Sequence, residues 1–101
     1  MRVKFKHAEM QAFINTIGAG INYMRGTAES DEDYVIIAVL EEMHLKLSQK
    51  FIERKAKYSF GLKPAQGFAI RSVYAGSARD SFEGNLIGRI CDDVHQIYAF
   101  K

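Results

Sequence analysis

From Asp31 to Ala56 the chain contains neither glycine nor proline, and Ile36, Leu40, Met43, Leu47 and Phe51 recur there at intervals of three and four. That period puts all five on one stripe of an α-helix and on no single face of a strand. A helix with such a stripe must bury it against neighbouring elements, and with the three further helices that follow the chain is expected to be mainly helical. At 1.5 Å per residue it would extend about 40 Å. Ser30 is the expected N-cap, with Asp31, Glu32 and Asp33 in the first turn, where the helix dipole favours acids.

Three further helices follow the same rule. Residues 7–25 place Met10, Phe13, Ile14, Ile17, Ile21 and Met24 on one face, before Gly26 and the polar run TAESDED interrupt them. Pro64, in a first-turn position, opens a helix over about 63–75, whose predicted face combines Ala65, Ala69, Ser72 and Gly76 with Phe68 and Val73. The fourth, about 81–99, is predicted to bury Phe82, Leu86, Ile90, Val94 and Ile97. Two short segments alternate with period two instead. RVKFK separates Val3 and Phe5 from Arg2, Lys4 and Lys6, and KYSFGL sets Tyr58, Phe60 and Leu62 on one side. Each is a strand candidate and the two could pair as an antiparallel ribbon; extended arms anchored by aromatics would satisfy the same pattern.

The order arm–helix–helix thus occurs twice, and the residues echo it. Shifting the numbering by 51 lays Ser30 on Ser81, Glu32 on Glu83, Ile36 on Ile87, Val39 on Ile90, and EEMH (41–44) on DDVH (92–95). A shift of 55 lays Phe5 on Phe60, Gln11 on Gln66 and Phe13 on Phe68. The chain reads as two pseudo-repeats, about 1–56 and 57–101, within one helical domain. The expected fold is a mainly α four-helix bundle, with a short two-stranded antiparallel ribbon if the arms pair.

A chain of 101 residues, 48% apolar with one proline, can bury one modest core, and disorder is not expected. The single cysteine, Cys91, excludes an intrachain disulfide and suits a reducing compartment. The first ten residues lack the apolar core of a signal peptide, so a cytoplasmic location is expected. The longest apolar run, YVIIAVL (34–40), is too short to span a bilayer, and no membrane association is expected.

The acid-x-x-His spacing of Glu41/His44 and Asp92/His95 resembles half of a di-metal carboxylate site, with Glu9 as a further ligand. The third helix offers only Gln66, and Asp92 and His95 project away from their helix's predicted core face, so no metal is assigned. Cys91 and His95 lack both an orienting third residue and an oxyanion site, which favours a packed, inert thiol. GAG (18–20) lacks the Lys-Ser/Thr of a phosphate loop, and close helix approach is the better reason for its glycines. Neither a cofactor nor an enzymatic activity is expected.

Charge and surplus apolar surface carry the functional expectations. Six acids and no base lie between Glu29 and Glu42; then Lys46, Lys50, Arg54, Lys55, Lys57 and Lys63 follow with one acid, Glu53. The helix dipole accounts for much of that order. If the arms pair, Arg2, Lys4 and Lys6 join the basic end, which could hold nucleic-acid phosphates; Tyr58 and Phe60 are near enough to stack on bases, though the core is the better place for both. Tyr34, Ala38, Leu45 and Ile52 form a second apolar side of the long helix, and Gly84, Gly88 and Cys91 form a small-residue groove on the last one. These features lead to the first expectation: a non-catalytic intracellular module that self-associates, most simply as a homodimer, or docks on a protein through Tyr34, Leu45, Ile52, Gly84 and Gly88. Nucleic-acid binding through the basic region is the alternative.

Overall fold

The computed structural model describes residues 1–98. Its elements are β1 (Arg2–Lys6), α1 (His7–Thr27), α2 (Asp31–Ile52), β2 (Lys57–Gly61), α3 (Pro64–Tyr74) and α4 (Phe82–Tyr98). The helices form a bundle in which α1 packs on α2 and α4, and α3 on α2 and α4, while the antiparallel β1–β2 ribbon lies against α1. The arms therefore pair as strands. The last residue assigned to the fourth helix from sequence, 99, lies outside the described residues.

Each half starts its helices with similar local chemistry. The carboxylate of Glu9 accepts the Lys6 backbone N–H at 2.8 Å, and the amide oxygen of Gln66 accepts that of Lys63 at 2.9 Å. Ser30 Oγ accepts the Asp33 N–H at 3.2 Å, and Ser81 Oγ accepts the Gly84 N–H at 3.0 Å. All four bonds satisfy backbone donors that the first helical turn leaves unpaired. Asp33 completes the α2 capping box by accepting from Glu29 and Ser30 N–H groups, which hold its carboxyl below the usual carboxylate range.

The core is one cluster. Met10, Phe13, Ile17, Leu40, Met43, Leu47, Ile70 and Val94 are fully buried in it, and Phe5 stacks on Phe13 with ring centroids 4.9 Å apart. The predicted stripes of α1 and α2 are the buried ones, with Met24 and Phe51 half-buried at their ends. The later helices are rotated relative to expectation. In α3 the core face is Gln66, Gly67, Ala69, Ile70 and Tyr74, while Ala65, Ser72 and Gly76 are exposed and Phe68 is 41% exposed. In α4 Ile87 and Cys91 join Leu86, Ile90 and Val94 inside, and Phe82 and Ile97 stand outside. In both, small residues (Gly67 and Ala69 in α3, Gly88 and Cys91 in α4) form part of the buried face and set close approaches that an apolar stripe does not mark.

The glycines of α1 show that closeness. A side chain at Gly20 would collide with the hydroxyl of Tyr74, which donates to the Thr16 carbonyl at 2.7 Å. Burial pushes the Tyr74 phenol pKa up to about 12, with the neighbouring Cys91 thiol adding to the effect. Gly18 lies against the His44 ring. The GAG segment is thus a helix-packing device.

The long helix also ends earlier than its sequence pattern implies, at Ile52 rather than 56. Tyr58 Oη donates to the Glu53 carbonyl at 2.9 Å and accepts the Lys55 N–H at 2.9 Å. The His7 ring packs on Phe51 at 4.8 Å, and its Nδ1 lies 3.2 Å from the Lys55 carbonyl. These contacts capture residues 53–56, which would otherwise continue the helix, and turn them into the entry to β2.

Candidate nucleic-acid interface

The ribbon pairs Arg2 with Gly61, Val3 with Phe60, Lys4 with Ser59, Phe5 with Tyr58 and Lys6 with Lys57. At one end the Leu62 N–H donates to the Met1 carbonyl at 2.7 Å, and at the other the His7 N–H donates to the Ala56 carbonyl at 3.1 Å. Counting inward from these bonds, Val3/Phe60 and Phe5/Tyr58 are hydrogen-bonded pairs, while Lys4/Ser59 and Lys6/Lys57 are not. Opposed side chains are closest in pairs of the second kind. Alternation then turns Phe5, Tyr58 and Phe60 into the core and sends Arg2, Lys4, Lys6, Lys57 and Ser59 to the outer face.

Lys6 and Lys57 thus face each other directly, an arrangement that costs stability in a sheet. Among the described residues, neither they nor Lys4 form an ion pair. Two further contacts fix the surroundings. Arg2 donates to Ser59 Oγ at 3.1 Å, and Lys50, from the end of α2, donates to the Ser59 carbonyl at 2.6 Å on the free edge of β2. The result is a trough of about 640 Å³ lined by Lys4, Lys6, Lys50, Lys55 and Lys57, with Ser59 between them.

Its two acids are already engaged. Glu53 pairs with Lys55 at 3.1 Å, and Glu9 pairs with Arg89 of α4 at 3.1 Å. The Lys6 backbone N–H, followed by the Arg89 guanidinium, holds the Glu9 carboxyl below the usual carboxylate range. The trough therefore presents five ammonium groups against two carboxylates, an excess of three positive charges. Chemically it can bind anions. It offers no nucleophile with a partnered base.

Of the basic residues singled out in the sequence, Lys50, Lys55 and Lys57 line the trough, joined from β1 by Lys4 and Lys6. Lys46 pairs with Glu42 at 3.0 Å, and Arg54 and Lys63 are exposed outside the trough lining. Tyr58 and Phe60 are 5% exposed and point inward, so they serve the core, the role favoured for them from sequence, and not base stacking. Ser59, Glu9 and Arg89 were not singled out as parts of it. Ser59 follows once the strands are registered, whereas the Glu9–Arg89 contact spans 80 residues and carries no local signal.

The second predicted surface is divided. Tyr34, Leu45 and Ile52 are 60%, 58% and 83% exposed. Gly84 and Gly88 offer no open groove: a side chain on Gly84 would meet the Ala78 carbonyl, and one on Gly88 would meet the Arg79 side chain. Arg79 is held across that face by two hydrogen bonds to Asp92, at 2.8 and 2.9 Å, and one to the Gly88 carbonyl at 3.2 Å. The closeness that two glycines permit is used by the chain's own α3–α4 connection.

The acid-x-x-His residues do not meet either. Glu41 pairs with Arg25 at 2.7 Å, His44 sits beside Gly18, Asp92 pairs with Arg79, and His95 is exposed. Glu9 and Gln66 are occupied as caps at the ribbon end. Among the described residues, no group of three or more His, Cys, Asp and Glu side chains is placed to hold a metal ion. Nor is any described helix long and apolar enough to cross a membrane. Known protein families, curated proteins and solved structures gave no match to this chain.

Proposed function

We propose that this protein binds nucleic acid, without catalysis, through the outer face of its β-ribbon. The observation that carries the reading is the set of unpaired lysines Lys4, Lys6 and Lys57 on one small face, two of them directly opposed. Such an arrangement is unfavourable alone and becomes favourable when a polyanion lies across it. The basic region of the sequence is thus narrowed to Lys50, Lys55 and Lys57, and the first strand supplies the rest.

The test is fluorescence anisotropy of labelled mixed-sequence nucleic acid, single- and double-stranded, at increasing salt. With four or five phosphate contacts, log affinity should fall against log salt with a slope on the order of −4. The double change Lys6→Glu and Lys57→Glu should abolish binding at physiological salt. Binding that ignores salt, or survives both reversals, refutes the proposal.

A second reading, docking on a protein or on a second copy, is supported by the exposure of Tyr34, Leu45 and Ile52 on the side of α2 away from the core. Light scattering across concentrations, with Leu45→Ser and Ile52→Ser as a paired variant, tests self-association; a monomeric mass throughout removes it. We also read the two halves as copies of one strand–helix–helix unit. Shared capping supports this, and so does burial: a shift of 51 carries the buried Ile36, Leu40 and Met43 onto the buried Ile87, Cys91 and Val94.

A further inference from the structure

We infer that the nucleic acid bound here is double-stranded, held by its two phosphate backbones in two adjacent troughs. This rests on the reading of the ribbon face given above and adds the form of the ligand. Two observations lead to it. The first is that the ribbon presents no open ring for stacking: Phe5 and Tyr58 line the larger trough but are almost wholly covered. Phe5, Tyr58 and Phe60, the aromatic residues of the ribbon, are 2%, 5% and 5% exposed and face the core. Sequence-tolerant single-strand binding gains much of its strength from bases stacked on aromatic side chains. A face of ammonium groups without a platform suits a ligand whose bases already stack on one another and whose phosphates point outward.

The second observation is that the ribbon face has two basic concavities. Besides the larger trough, a second of about 450 Å³ runs along β1 toward α4 and is lined by Arg2, Lys4, Lys6 and Arg89, with Glu9 and Asp93 as its acids. Lys4, Lys6 and Glu9 line both troughs and stand as the partition between them, two bases against one acid. The excess positive charge is three in the first and two in the second, counting lysine and arginine against glutamate and aspartate. A single strand has one line of phosphates and can fill one trough. A duplex presents two lines, and the partition lysines can reach both. Arg89 then acts from the far side as a phosphate ligand, its side chain 60% exposed while it holds Glu9.

The experiment compares a DNA duplex of about twenty base pairs, long enough to offer more phosphates than the face can neutralise, with each of its separate strands. Anisotropy is read at several salt concentrations for the parent chain, Arg89→Gln and Lys46→Gln. Lys46 lines neither trough. The expected result is a duplex bound at least about tenfold more tightly than either strand near physiological salt. Arg89→Gln should lower the duplex slope by about one and leave the single-strand slope unchanged. Lys46→Gln should change neither by more than about twofold. Equal or tighter single-strand binding overturns the inference while leaving nucleic-acid binding in place, and so does an equal loss from both ligands in Arg89→Gln. Failure to bind either ligand in a salt-dependent way overturns the inference and the proposed function together.

Discussion

Two glycines of α1 should respond to the same substitution with opposite signs. Gly26 has open space around it, whereas a Cβ at Gly20 would overlap the Tyr74 hydroxyl and lie 2.7 Å from its Cζ. Within a helix, Gly→Ala gains up to about 1 kcal/mol from backbone entropy. At Gly26, near the end of α1, Gly26→Ala should therefore stabilise the protein by a few tenths to about 1 kcal/mol. At Gly20 that gain is outweighed. Tyr74 must move, which forfeits its 2.7 Å bond to the Thr16 carbonyl, worth about 1 kcal/mol, and overpacks a filled region at about 1–3 kcal/mol. The net expectation for Gly20→Ala is a loss of about 2 kcal/mol, or roughly 10 °C in Tm for a domain of this size. Urea titration followed by far-UV circular dichroism measures both variants directly. Tyr74→Phe supplies the internal control: it removes the hydroxyl that a new Cβ meets first. Gly20→Ala should cost about 1 kcal/mol less in that background, a coupling readable from the double-mutant cycle. If Gly20→Ala stabilises the protein as Gly26→Ala does, Tyr74 does not sit against Gly20 as described and the packing argument fails.

Other expectations follow from single groups. Burial, followed by the negative charge of Asp92, pushes the Cys91 thiol pKa up to about 11, so at pH 8 on the order of one thiol in a thousand is ionised; a disulfide reagent should label it only on unfolding, and rapid labelling of the native chain would contradict its placement. The Lys6 N–H, followed by the Arg89 guanidinium, holds the Glu9 carboxyl below the usual carboxylate range, so its contribution to stability is complete above the unfolded value and is lost as pH falls through the lower folded one. Glu9→Gln should accordingly flatten the stability profile below about pH 5, and an unchanged acid limb would exclude that role. Arg79→Ala should lower the thermal midpoint in low salt, with the difference shrinking toward about 1 M salt; a salt-independent loss would assign Arg79 to packing instead.

What could be read in the sequence follows the range of the interactions. The stripes of α1 and α2 were legible because long helices repeat their apolar residues enough times for the period to stand out. The ribbon was legible as alternation, and its basic outer face followed once pairing was assumed. The faces of α3 and α4 were not, since Gly67, Gly88 and Cys91 are small and acquire their burial from neighbours elsewhere in the chain. Gly67, for example, would carry its side chain to within 3.1 Å of Val94. Gly84 and Gly88 illustrate the same limit: two small residues four apart announce a close approach, but not that Ala78 and Arg79 of the same chain make it. The end of α2 was misplaced for a similar reason. No residue between 53 and 56 forbids a helix; the Tyr58 hydroxyl and the His7 ring remove them from it.

The ribbon's position also bears on why a repulsive pair is tolerated. Lys6 and Lys57 are 51 residues apart in the chain (57 less 6) and become opposed only when both halves are folded and the strands register. The repulsion they feel is therefore absent from the unfolded chain and present in the native one. The burial of Phe5, Tyr58 and Phe60 on the reverse face of the same strands offsets it. This divides the ribbon into one side that holds the halves together and another whose charge is left over. Replacing Lys57 by Gln should therefore raise stability slightly while weakening nucleic-acid binding, the opposite pairing of effects from a loss at Phe5 or Tyr58. If Lys57→Gln instead destabilised the chain, the lysine would be serving the fold, and its charge would no longer speak for a ligand.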